Sequence, residues 1–153
     1  MRIELDSPDY TMREIAQCTS ADLKTVDNHV LHGHLEPHRV AGKPRFTARQ
    51  AVRTEIISRL ASLYRIPPNT GTVIADGLLG SLPAGMLESD AAAVGDRNWA
   101  AAAAHRAQVA IDRDADGTPA VIEGHGEPTI DIVVPVQLFA RMVLAKLAER
   151  SAA

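Results

Sequence analysis

Three groups of residues in this chain have types and spacings that could do chemistry. Asp112-x-Asp114-x-Asp116-Gly117, followed by Glu123, places carboxylates at positions 1, 3, 5 and 12 of a loop with glycine at its turn. An EF-hand loop surrounds calcium with oxygen at that spacing. His29, His32, His34 and His38 form a second group, and His29 and His32, three apart, would share one face of a helix as ligands of a zinc or nickel ion must. The third group is basic. From Glu36 to Arg65 there are seven Lys or Arg against two Asp or Glu, although the net charge of the whole chain is −3. Such a segment suits an anionic partner such as nucleic acid, and the acidic stretch 67–153 does not.

The first two groups also have plainer readings. Pro119 stands where a calcium loop normally has a β-branched residue, Gly124, Gly126 and Pro128 oppose the helix that should follow, and no second loop is visible. The segment therefore reads as a hairpin turn, with calcium at Asp112, Asp114, Asp116 and Glu123 as the alternative. No cysteine or well-placed carboxylate completes the histidine cluster, which reads as phosphate or base contacts beside basic residues, with zinc or nickel as the alternative. No cofactor is called for. The sequence has no Gly-rich phosphate loop, nucleophile elbow or Cys/His pair with an orienting group; Asp96, Asp131 and Glu123 read as solvated acids, and the protein as no enzyme. The one cysteine, Cys18, has no internal disulfide partner and reads as a small buried side chain. With 46% apolar and 23% charged residues the 153-residue chain is compositionally a globular protein. No apolar run approaches the ~18 residues of a membrane span and no signal peptide is apparent, so the sequence predicts a cytoplasmic protein with no membrane partner.

The elements that must position these groups are legible from caps and periodicity. Thr11 and Glu14 have capping-box spacing and predict a short helix to Cys18, with Met12, Ile15 and Ala16 inward and Arg13 outward. Ser20 as a cap, with Asp22 near the positive helix end, predicts a second helix over Ala21–Leu31. Leu23, Val26 and Val30 form its apolar stripe, Lys24, Thr25, Asp27, Asn28 and His29 its polar face, and Gly33 its stop. A Gly-Lys-Pro turn between two extended pieces predicts a β-hairpin carrying Arg39, Lys43 and Arg45. Thr47 then caps a long helix over Ala48–Arg65, with Val52, Ile56, Ile57, Leu60 and Leu63 buried, and Ile66-Pro67-Pro68 breaks it.

Two short helices, a hairpin and a third helix make a winged helix-turn-helix pattern. In this order of parts, Tyr10 to Ile66 resembles the MerR-type helix-turn-helix family. "YTMREIA", the Thr25-Val26 pair, the "HGHLEPHR" run and Arg45-Phe46-Thr47 carry the resemblance. It implies a dimer whose second helix and hairpin arginines touch DNA, here through Arg39, Arg45 and the Lys24–His29 face; Arg13, Lys43 and Arg49 complete the candidate set. The chain departs from the family at Asp27, Asn28 and His29, where an arginine and aromatic residues are usual. Asp27 repels phosphate but could accept from cytosine, and Asn28 could pair with adenine.

In the second half, Gly71, Gly77, Gly80 and Gly85 predict short helices or a loose connector. Asp96–Trp99 and the alanines up to His105 predict a helix, with Trp99 as a packing anchor. Gln108–Asp112, Pro119–Glu123 and Thr129–Val134 read as strands, with Asp116-Gly117 between the first two. Val136–Arg150 reads as a helix with Leu138, Phe139, Met142, Val143 and Leu147 inward. Too small to bury much alone, this unit is expected to pack on a second copy. The whole is α+β: a winged helix-turn-helix DNA-binding domain over 1–67, a connector over 68–95 and a C-terminal oligomerisation unit over 96–153. The function expected is that of a bacterial or phage transcription regulator, a repressor, binding double-stranded DNA as a homodimer. The alternatives are an antitoxin-like protein-docking adaptor, favoured by Asp27, and an excisionase-like DNA-bending protein. Because the acidic segment reads as a turn, calorimetric titration with millimolar calcium is expected to give no heat; a saturable heat would establish the calcium loop instead.

Overall fold

The computed structural model describes residues 2–113, 119–121 and 130–153. They form an α+β structure of six α-helices and two small antiparallel sheets, one two-stranded and one three-stranded. Helix α1 (Met12–Cys18) starts at the predicted capping box: the Thr11 hydroxyl accepts from the Glu14 N–H at 3.2 Å, and the Glu14 carboxylate accepts from the Thr11 N–H at 2.8 Å. Helix α2 (Leu23–Leu31) begins two residues later than expected. Asp22, not Ser20, is its cap, accepting from the Thr25 N–H at 2.7 Å. The Ser20 N–H is engaged elsewhere, donating to the Glu55 carboxylate at 2.5 Å, and this holds Ser20 out of the helix.

The hairpin consists of β1 (His38–Val40) and β2 (Lys43–Arg45), with Arg39 opposite Pro44. Its turn is Ala41-Gly42 rather than Gly-Lys-Pro. Both turn residues have positive φ, 49° and 75°, the conformation a two-residue hairpin needs to match strand twist. Tyr10 and Phe46 exchange N–H···O bonds of 3.0 and 2.8 Å, which fasten the segment before α1 to the strand leading into α3. Helix α3 (Ala48–Tyr64) opens on a second capping box, Thr47 with Gln50. It buries Val52, Ile56, Ile57 and Leu60, but Leu63, assigned to the same stripe, is exposed.

The glycine-rich stretch does not form a loose connector. Helix α4 (Pro68–Gly80) runs unbroken for 13 residues and packs on α3. Gly71 is buried there, and a Cβ on it would lie 3.6 Å from Ile57 Cγ2, an ordinary contact; packing of α4 on α3 outweighs the propensity cost of about 1 kcal/mol per glycine. Helix α5 is Met86–Ala93. The predicted helix through the alanines is only one 3₁₀ turn, Ala100–Ala102. A run this short is marginal as an isolated helix, and beyond it the Ala104 and His105 N–H groups donate to the Gln137 side-chain oxygen at 3.1 and 3.0 Å.

Strands β3 (Ala107–Arg113), β4 (Pro119–Val121) and β5 (Ile130–Val134) form a sheet in the order β4-β3-β5. Asp114, Asp116-Gly117, Glu123 and Thr129 lie outside the described residues. The last helix, α6 (Val136–Ser151), buries Phe139, Val143 and Leu147 as expected, and Ala140 and Leu144 as well, while Leu138 is exposed. Its apolar side is covered within the chain by α3, α1 and α5, so its burial does not call for a second copy. Buried residues from Ile3 to Leu147 belong to one cluster.

Two buried polar contacts tie this core together. The Glu55 carboxylate, 2% exposed, accepts from Ser20 N–H and from Arg59 Nε at 2.8 Å, and the Arg59 guanidinium stands 5.4 Å from the Phe139 ring centroid of α6. Asp90 of α5 accepts from Gln137 and Arg141 of α6, and Arg141 lies 5.1 Å from the Trp99 ring centroid. Removing one partner of a buried ionic contact costs about 3–5 kcal/mol. Glu55→Ala is therefore expected to lower unfolding free energy by about 3 kcal/mol in urea titration. A loss below about 1 kcal/mol, the range of surface pairs, would show that the contact is not structural.

Candidate nucleic-acid interface

The basic candidates fall into two sets once their partners are known. Arg13 on α1, Lys24 on α2, and Arg39 and Lys43 on the hairpin are exposed, and Arg45 is half-buried. None of the five is in an ion pair among the described residues. Arg39 donates to the Gly42 carbonyl at 3.3 Å and Arg45 to the Asp9 carbonyl at 3.4 Å. Both bonds are long and to neutral acceptors, so they orient the guanidinium groups without cancelling their charge.

Arg49 belongs to the other set. Its guanidinium donates to both oxygens of Asp6, at 2.7 and 3.0 Å, and to Glu88 at 3.1 Å. That hydrogen bond holds the Asp6 carboxyl below its ordinary range and pushes the Arg49 value up. Arg49 thus fastens the N-terminal segment and α5 to the start of α3, and its charge is already answered. Arg53 is similarly occupied, pairing with Asp76 at 2.7 Å and donating to the His34 carbonyl.

On α2 the expected polar face is present in part. Lys24, Asp27 and Asn28 are exposed and Thr25 is half-buried. The helix packs on α1, and helix α6 docks elsewhere. Leu23, assigned to the inward stripe, is also exposed, whereas Val26 is fully buried. His29 departs from its assignment, for its side chain is only 4% exposed. It is therefore not available to reach a base edge. The reason is local: the His29 carbonyl accepts from both His34 and Leu35 N–H groups, at 2.8 and 3.1 Å, folding the chain after Gly33 back over the imidazole.

His29 now stands in a small histidine cluster. Its ring centroid is 6.0 Å from that of His34, which is 6.2 Å from that of His32. His38 lies apart in β1. Among the described residues no three His, Cys, Asp or Glu side chains are grouped to hold a metal ion. Thr25, Asn28, His29, His32 and His34 instead line a cavity of about 380 Å³ whose far wall is Pro68 and Asn69 at the start of α4. The contribution of α4 carried no signal in the sequence, since that stretch read as connector.

A larger hollow of about 620 Å³ lies between α4 and β3, lined by Val73, Ile74, Leu78 and residues 105–110, which lead into and along β3. It gathers none of the candidate residues. Cys18 is buried, as expected, and burial pushes its thiol up. No helix of the described residues is long and apolar enough to cross a membrane. Comparison of the chain with protein-family models, curated proteins and solved structures finds no match.

Burial, with His34, Arg53 and His32 nearby, pushes the His29 value below the ordinary 6.5. The unfolded chain then binds a proton before the folded one does, so stability falls as pH drops below about 6.5, until the folded imidazole also titrates. Thermal unfolding in chloride buffer is expected to show a midpoint that declines between pH 7 and 5, with a shallower decline in His29→Gln. An equal slope in both proteins would remove His29 as the cause.

Proposed function

We propose that α1, α2, the β1–β2 hairpin and α3 form a winged helix-turn-helix of the MerR-like kind, and that the protein is a sequence-specific transcription regulator of double-stranded DNA. The observation that carries this reading is the grouping of open cations on the hairpin. Arg13, Lys24, Arg39, Lys43 and Arg45, all in these elements, have no carboxylate partner among the described residues, while Arg49, Arg53 and Arg59 of α3 are paired with acids. Arg65, Arg97, Arg106, Lys146 and Arg150 also stand outside any ion pair among the described residues, so what supports the reading is the grouping of three open cations, Arg39, Lys43 and Arg45, on one hairpin, where phosphate can take the place of counterions.

In this reading the exposed Lys24, Thr25 and Asn28 side of α2 enters the major groove and the hairpin holds flanking phosphates. The action is binding rather than catalysis. A homodimer would read two half-sites, and the exposed apolar side chains Leu63, Val133 and Leu138 are available for the second copy, since the inner face of α6 is already used. A protein-docking adaptor is the second reading, favoured by Asp27, exposed beside Asn28 where it would meet phosphate.

Gel-shift against the chain's own upstream region separates the two, retardation at low salt being expected. Arg45→Ala and Lys43→Ala should weaken binding on every sequence and each lower the salt slope by about one. Asn28→Ala should change sequence preference at a cost of about 1–3 kcal/mol. Equal loss on specific and random DNA would reassign Asn28 to the backbone, and no retardation of any fragment would favour the adaptor.

A further inference from the structure

Residues 32–37 join the C-terminal end of α2 to β1 of the hairpin, and this short connection closes over the His29 ring. The His29 carbonyl accepts from the His34 and Leu35 N–H groups at 2.8 and 3.1 Å, Leu35 is buried, and Arg53 of α3 donates to the His34 carbonyl. One residue on, the Glu36 carbonyl accepts from Gln50 Nε2 at 2.6 Å. These contacts fix the hairpin relative to α2. They also leave the His29 Nε2 buried with no hydrogen-bond partner among the described residues.

A neutral imidazole can occupy that position at small cost, but an imidazolium cannot. Protonation makes both ring nitrogens donors and puts a charge where water does not reach. The groups around the ring are cations or become cations on acidification. His34 stands 6.0 Å away between ring centroids, His32 lies 6.2 Å beyond His34, and Arg53 reaches in from α3, offset by its pair Asp76 of α4. Pro68 and Asn69 of α4, which line the cavity beside the cluster, are uncharged. Of the charged groups on α1 and α2, only His32 acts on the ring. The carbonyl end of α2 favours a cation, but burial and the neighbouring cations outweigh it, so the closed ring takes a proton less readily than one in water.

We propose that the connection between α2 and the hairpin is an acid-sensitive latch: protonation of His29 releases the His34–Leu35 turn from the end of α2, and the hairpin loses its fixed position beside that helix. The inference rests on the DNA-binding reading for its consequence, weaker DNA binding in acid, but not for the latch itself. The sign of that consequence is diagnostic. Charge alone would act the other way, because protonating His32, His34 and His38 adds positive charge to a phosphate-binding region. A loss of affinity on acidification therefore reports a change of shape. Because the open turn binds a proton that the closed one excludes, opening gains up to about tenfold per pH unit below the ordinary 6.5, until the closed ring itself titrates.

Hydrogen exchange of the full chain, followed by NMR between pH 7.5 and 5.5, reads the latch through the His34 and Leu35 amides. Their protection factors, corrected for the intrinsic pH dependence of exchange, are expected to fall about tenfold and to stay below those of Leu144 and Leu147 in α6 throughout. In His29→Gln, which takes no proton at this position, they should stay level. Should that variant not fold, His34→Gln, at a half-buried site, is expected to retain the fall because His29 is still present. On a selected DNA fragment at constant ionic strength, wild-type affinity should drop at least about threefold over the same range as the closed fraction shrinks, and that of His29→Gln should hold or rise.

No fall in protection in the wild type overturns the latch. So does protection equal to that of α6, which would mean that His29 is uncovered only by global unfolding. A fall that survives in His29→Gln and is lost in His34→Gln moves the titration to His34 and overturns the assignment. If the amides respond while DNA affinity holds or rises in acid, the link from the latch to the hairpin's position on DNA is overturned. If no DNA is bound at any pH and the amides still respond, the DNA reading fails and the latch stands.

Discussion

The carboxylate of Glu55 lies near the middle of α3, almost out of reach of water, and accepts hydrogen bonds from two directions. One donor is the Ser20 main chain, in the turn between α1 and α2; the other is Arg59, one turn further along α3. A buried carboxylate is costly unless its oxygens are satisfied, so the turn can sit in only one place relative to α3. The angle at which α2 leaves the body follows from that placement. Arg59 carries the constraint onward, its other face lying against the Phe139 ring of α6. One acid thus couples the polar surface of α2 to the long helix beneath it and to the C-terminal helix behind.

The same economy governs the other charges. Asp6 and Glu88 hold Arg49, Asp76 holds Arg53, and Asp90 holds Arg141. Each pair links segments far apart in sequence. Asp6, Asp76, Glu88 and Asp90 are thus committed to arginines of the framework, while the cations of α1, α2 and the hairpin stay outside any ion pair among the described residues.

Helix α6 has the largest influence on how the chain is organised. It supplies the core with Phe139, Ala140, Val143, Leu144 and Leu147, and its Gln137 and Arg141 clamp Asp90, Trp99 and the main chain at residues 104–105. Helices α1 and α3 pack on a segment far away in sequence, Val136–Ser151. A change in how α6 is seated would be felt at α1 and α3 directly, since these helices share its core.

Local chemistry was read from the sequence with good fidelity: the Thr11–Glu14 capping box, the Thr47 cap, the Gly33 stop, the proline break after Ile66 and the span of α6. These depend on residues within one turn of each other, whose hydrogen bonds are decided by neighbours. The order helix, helix, hairpin, helix and the basic stretch also come from the sequence alone. Tertiary structure decided what local signals could not. Glu55 took the Ser20 main chain and moved the start of α2; packing on α3 kept α4 continuous through its glycines; Gln137 drew the alanine run out of a helix. His29 turned inward, Arg49 was claimed by Asp6, and the first turn of α4 came to face α2. In each case a contact across the fold outweighed a local preference worth about 1 kcal/mol or less, and no window of neighbouring residues contains the partner that makes the difference.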